Sequence, residues 1–172
     1  MCIRDRKQDA IGVMTLTENE LMRSADVFPI KFRSIKQNGK TLHGKDLIAK
    51  MDVPNSHLRL RCEQELKNLS LRLRQKYLQA QSSPKQKLSF LSSVSRSLTQ
   101  NLAVLAELKD GKASASQEEL VSITREWDID LELLERIKEL STQENPSEPT
   151  VESVYHEFRS IVDRAAEIAD RL

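Results

Sequence analysis

The chain has 172 residues, 31% charged and 38% apolar, with a net charge of +1. That length suits about one domain, and no run approaches the ~18 apolar residues of a membrane-spanning helix. Only Cys2 and Cys62 are cysteines and no Cys-x-x-Cys occurs, which argues against a disulfide framework or a zinc site. A cytoplasmic protein with Cys62 as a reduced core thiol is expected, and no secretory signal pattern appears.

The near-zero net charge hides a polarity. Residues 29–88 carry fourteen Lys/Arg and four Asp/Glu, whereas residues 116–172 carry six Lys/Arg and fifteen Asp/Glu. Segment charges of +10 and −9 admit two readings. The basic half faces phosphate, or the two halves face each other and solvent.

In chain order, Met1-Cys-Ile-Arg-Asp-Arg6 resembles a translated sequencing-adapter leader and is set aside as non-native. Truncation is therefore expected, with native chain from about Lys7. Ile11–Met14 reads as a strand remnant. Thr17-Glu-Asn-Glu20 has capping-box spacing and predicts a helix to about Ala25. Val27–Ile35 reads as a strand, with Lys31 and Arg33 alternating against apolar neighbours and Pro29 at its beginning or on an edge. Asn38-Gly39 signals a turn, and Thr41–Gly44 forms a corner.

Pro54 punctuates, and Asn55 or Ser56 caps a helix to about Gln81. Leu58, Cys62, Leu66, Leu69, Leu73 and Tyr77 form one apolar stripe. Leu60, Leu71 and Leu78 form a second, which predicts a helix sandwiched between two neighbours. Ser83-Pro84 opens a helix to about Lys109 with the stripe Leu88, Leu91, Val94, Leu98, Leu102 and Leu105. Ser116 caps a helix to Trp127, which reads as a core plug. Asp130 caps one bearing Leu131, Leu134, Ile137 and Leu140. Gln143–Pro149 is a linker. Thr150 opens the last helix, with Val151, Val154, Phe158, Ile161, Ala165 and Ile168 facing inward. The fold class is mainly α: a small α/β remnant over 7–54, with one or two strands, then a bundle of about five helices over 55–172.

Four strings carry a family resemblance: Arg23–Pro29, Leu42-His-Gly-Lys-Asp46, Leu58–Leu66, and Leu71–Arg74 with Tyr77-Leu78. Together they resemble bacterial nucleotidyltransferase-domain proteins, in which a small polymerase-β-like domain precedes helices. The resemblance covers about a third of the chain closely. It implies transfer of a nucleotide from an NTP, with a Gly-Ser turn for the triphosphate and an Asp-x-Asp pair for two Mg²⁺ ions. This chain has no Gly-Ser pair, and Lys31 and Ser34 stand where acidic residues are expected. Asp26 is the one nearby carboxylate and is only a weak catalytic candidate. Asp128-x-Asp130 sits at a helix boundary and reads as a cap. No metal site is assigned; Mg²⁺ and NTP belong to the parent enzyme, and the chain alone is expected to be inert.

The nucleotide- or phosphate-binding candidates are His43, Gly44, Arg59 and Arg61. His43 contacts a base or phosphate, or simply holds the turn. Arg59, Arg61, Arg72 and Arg74 offer planar donor forks, but their i, i+2 spacing splits them over different sides of the helix. Pairing with Glu63, Glu65 or the acidic bundle is the structural alternative. His57 reads as a surface or cap residue, and His156 has no ligand partner at metal spacing. Two functions follow from different classes. One is the C-terminal part of a nucleotidyltransferase, with nucleotide, a missing N-terminal domain and a homo-oligomer as partners and no membrane. The other is a non-catalytic helical module that binds a protein or nucleic acid.

Overall fold

A computed structural model describes residues 13–79, 83–111 and 116–172. Its elements are α1 (Glu18–Arg23), α2 (Pro29–Asn38), a short 3-10 turn (Ile48–Lys50), α3 (Asn55–Gln79), α4 (Pro84–Asp110), α5 (Gln117–Glu126), α6 (Glu132–Thr142) and α7 (Glu148–Arg171). The mainly helical class and the five-helix bundle after residue 55 hold. The α/β remnant does not appear: no strand occurs among the described residues.

The segment expected to be a strand, Val27–Ile35, is largely α2. Pro29 takes the first helical position, where a missing N–H costs nothing and its fixed φ suits the turn. With no strand beside it, a backbone here satisfies its amides best by folding on itself. The helix also puts Arg33 and Gln37 one turn apart, on one face. Both reach Glu107 of α4: Arg33 Nε donates at 3.1 Å and Gln37 Nε2 at 3.0 Å, and Arg33 Nη2 adds a close ion pair. Lys36 Nζ donates to the Met51 carbonyl at 2.7 Å, while Ile30 and Phe32 enter the core. In the proposed Ile11–Met14 strand, Ile11 and Gly12 lie outside the described residues, as does the Met1–Arg6 leader, and Val13 and Met14 form no ladder.

The locally coded features are where the sequence puts them. Thr17 Oγ1 accepts the Glu20 amide at 3.2 Å while the Glu20 carboxylate accepts the Thr17 amide at 2.8 Å, although α1 stops at Arg23 rather than Ala25. Ser83 and Ser116 each accept the amide three residues on. Asp130, expected as the cap of α6, stands one residue ahead of the N-cap Leu131, and its Oδ1 accepts the first helical amide, that of Glu132, at 2.9 Å. Gly111 closes α4 in the left-handed region at φ +70°, where glycine carries no Cβ penalty. Two starts move by a residue or two. α3 begins at Asn55 itself, and α7 begins at Glu148, because Pro149 fits inside a first turn.

α3, α4 and α7 pack on one another as the inner layer. Leu58, Cys62, Leu66, Leu69 and Leu73 face the stripe Leu91, Val94, Leu98, Leu102 and Leu105, and Val154, Phe158 and Ala165 close the third side. α6 lies on α4 and α7, α5 on α4 alone, and α2 on α3 and α4. Trp127 is buried, with Lys109 Nζ 5.1 Å from its ring centroid and Arg164 Nε donating to its carbonyl at 3.2 Å. Basic and acidic halves meet at the helix seams, through the exposed pair of Lys67 and Asp170 at 2.8 Å and through buried Lys87 to Glu152. Ser70 Oγ adds a bond to Asp163 at 2.6 Å.

The helical assignment of α2 has a direct test. Ser34→Pro removes an amide in mid-helix and clashes with the carbonyl one turn back, and should cost about 3 kcal/mol. Leu98→Ala, at a fully buried site, should cost about 2–5 kcal/mol. Thermal melts of both variants check this; an unchanged midpoint for Ser34→Pro would remove the helix.

Candidate partner-binding face

On α3 the residues opposite the core stripe are the informative ones. Leu60, Leu71 and Leu78 are separated by eleven and seven residues, three turns and two, so they lie in one line roughly 27 Å long at 1.5 Å per residue. They are 49%, 61% and 68% exposed. The sandwich expected for α3 is therefore half built: α4 and α7 cover one face, and the leucine face has no neighbour among the described residues.

The cations nearest that line are Lys67, Arg72 and Arg74, all exposed on α3; Lys76 is exposed on the other side, beside Lys87 and Tyr155. Lys67 is engaged by Glu63 and Asp170, and the Arg72 guanidinium lies 5.7 Å from the Phe90 ring centroid. Arg74 and Lys76 meet no carboxylate among the described residues. Beside Leu71 a groove of about 510 Å³ runs between α3 and α4. Leu69 and Val94 contribute its buried apolar lining, and Arg61, Asn68 and Arg72 also line it.

The sequence candidates are dispersed. Asp26 is exposed in the turn between α1 and α2, and His43 and Gly44 are exposed in the loop after α2, with Gly44 at φ +82°. Arg59 Nη1 lies 3.4 Å from Glu63, and Arg61 Nε donates to Glu65 at 2.9 Å. These two arginines are spent on intrahelical ion pairs that lead apart, one toward Asp170 of α7 and the other, through Glu65, toward Asn101 of α4. No described hydrogen bond or ion pair joins any two of the five residues. The residues present also do not fit Mg²⁺: among the described residues no group of three or more His, Cys, Asp or Glu is placed to hold a metal ion. Asp128 takes a left-handed turn at φ +61° and Asp130 accepts the first helical amide of α6.

Other features were invisible in the sequence. Lys87 is buried; its ammonium meets Glu152 and lies 5.1 Å from the Tyr77 ring centroid. Tyr155 is buried and its hydroxyl donates to the Leu73 carbonyl at 2.6 Å. Burial, with Glu65 nearby, pushes the Cys62 thiol up to about 12, so it stays protonated and unreactive. A cleft of about 710 Å³ lies between α4, α5 and α6, walled by Leu120, Leu131 and Leu134. No signal in a single sequence pairs residues 65 positions apart, such as Lys87 and Glu152. No helix among the described residues is long and apolar enough to cross a membrane.

Comparison of the chain with protein-family models, with curated proteins and with solved structures finds no match.

Two predictions follow from this geometry. Leu60→Gln, Leu71→Gln and Leu78→Gln remove no packed atom, so each should shift stability by no more than about 0.5 kcal/mol in thermal melts. The hydrogen bond from Lys87 holds the Glu152 carboxyl below its ordinary 4.5, against the opposing effect of burial. A carboxylate depressed on folding adds stability that is full above the unfolded value and drains as pH falls through the folded one. Melting followed from neutral into acid should therefore fall less steeply in Glu152→Gln than in wild type; parallel curves would remove the pair from the pH dependence.

Proposed function

We propose that this chain is a helical binding module that works beside a nucleotidyl-transfer domain without carrying the chemistry itself. The observation behind the proposal is the uncovered line of Leu60, Leu71 and Leu78. These leucines sit inside the strings Leu58–Leu66 and Leu71–Leu78, which resemble the helical part of bacterial nucleotidyltransferase-domain proteins. Apolar residues that a bundle does not bury are available to a neighbour. The carboxylates that would bind Mg²⁺ and the Gly-Ser turn that would hold an NTP are assigned to another polypeptide segment, since the described residues place no group of carboxylates for a metal and the sequence has no Gly-Ser pair.

A second reading has one observation in its favour. The loop after α2 carries Lys40, His43, Gly44 and Lys45 in the open, with Gly44 left-handed. Basic side chains around a glycine turn can meet a phosphate, so this loop is the place where the chain itself would touch a nucleotide.

Two measurements test these readings. Incubated with Mg²⁺ and each α-labelled NTP, the chain should give no incorporation above buffer; transfer that disappears in Asp26→Asn would make it an enzyme and overturn the module. An anilinonaphthalene dye should fluoresce with the wild type and less with the triple Leu60→Gln/Leu71→Gln/Leu78→Gln variant. Equal signals would mean that the leucine line is not an available surface.

A further inference from the structure

The leucine line is set in a surface whose charge is net positive. The only carboxylates of α3, Glu63 and Glu65, are engaged by Arg59, Lys67 and Arg61. α4 has no acidic residue from Pro84 to Ala106. Arg72 and Arg74 flank Leu71 on its two sides; Arg72 stacks on Phe90, and neither makes an ion pair among the described residues. The surface thus offers apolar contact at two- and three-turn spacing, cationic donors beside it, and a groove at Leu71.

Four kinds of neighbour can be weighed against that chemistry. A second copy docking by the same face would set Arg72 and Arg74 against the cations of its equivalent face, and like-charge juxtaposition costs several kcal/mol. A nucleic acid would use the cations, but its phosphates gain nothing from three leucines. An anionic membrane asks for a broad apolar face, whereas here Gln64, Lys67, Arg74 and Gln75 interrupt the line. An acidic amphipathic helix uses everything present. Its apolar side chains meet Leu60, Leu71 and Leu78, one of them enters the groove over Leu69 and Val94, and its carboxylates meet Arg72 and Arg74 on the two sides of Leu71.

We propose that the outer face of α3, with the groove beside Leu71, takes an acidic amphipathic helix of a partner protein. The proposal rests on the binding-module reading and adds the chemistry of the partner. Glu65, which also lines the groove, is neutralised by Arg61 and accepts from Asn101 Nδ2 at 3.2 Å, so it does not repel an incoming carboxylate in full.

The test uses the full chain and a labelled synthetic helix with Leu at i, i+4, i+7 and i+11 and Glu flanking them. Anisotropy should show saturable binding of this peptide, and none of a scrambled peptide or of one with Lys in place of Glu. Leu71→Gln/Leu78→Gln should weaken binding at least about tenfold, as loss of a central apolar anchor does. Arg72→Gln/Arg74→Gln should weaken it and flatten its salt dependence, whereas Lys76→Gln, on the far side of α3, should do neither. Leu71, Leu78, Arg72, Arg74 and Lys76 are all exposed, and circular dichroism confirms that the variants keep their helices. The proposal is overturned by equal binding of the scrambled peptide, or by indifference to both variant sets. It is equally overturned if the same variants abolish binding to single-stranded RNA or to anionic vesicles while the peptide is ignored, or if light scattering shows a dimer that Leu71→Gln dissolves. Leucine-dependent dye fluorescence without peptide binding would sink only the acidic-helix partner; leucine-independent fluorescence would sink the module as well.

Discussion

Everything in this fold leans on α4. At 27 residues it is the longest helix among the described residues, roughly 40 Å at 1.5 Å per residue, and α2, α3, α5, α6 and α7 all pack on it. Its two halves are built differently. The N-terminal half shows the core one stripe, Leu88, Leu91 and Val94, while from Leu98 to Glu107 the buried residues run nearly all the way round. A helix that is enclosed on every side must satisfy its polar groups internally. Glu107 does so through Arg33 and Gln37, whereas Asn101 does so only with its amide nitrogen, bonded to Ser97 and Glu65, and its buried Oδ1 meets no partner among the described residues. The N-terminal α2 is thereby tied to the deepest part of the bundle by charge as well as by Phe32.

The division of charge along the chain takes on a spatial meaning here. Some of the basic half is neutralised at the helix seams, Lys67 by Asp170 and Lys87 by Glu152. The remainder stays outside, on α3 and the loop after α2, while α5 and α6 keep exposed acids such as Glu118, Glu126 and Glu139. The folded chain is therefore electrically two-sided even though its net charge is close to zero, and such a distribution orients a charged neighbour before contact.

How much of this was legible follows from distance along the chain. Caps and stripes depend on residues three or four apart, so Thr17, Ser83, Ser116, Asp130 and the leucine ladders could be read directly. α2 was misread because Lys31 and Arg33 alternate with apolar residues and Pro29 suits a strand's beginning as well as a helix's first turn. What decided the matter was Glu107, more than seventy residues away. The second stripe of α3 was seen correctly as apolar, and the error lay in giving it a neighbour, since periodicity shows which residues share a face but not what lies against it. Arg59 and Arg61 were weighed as phosphate ligands; the i, i+4 glutamates that occupy them were visible in the sequence.

Among the described helices α5 packs on α4, burying Leu120 and Thr124 and partly burying Val121 and Ile123. Its last turn runs into Trp127 and Ile129, both buried, and the Trp127 carbonyl accepts from Arg164 of α7. The wall that α5 gives to the cleft is therefore pinned at its C-terminal end, and the end with latitude is the other one, where Ser116 and Gln117 form the rim.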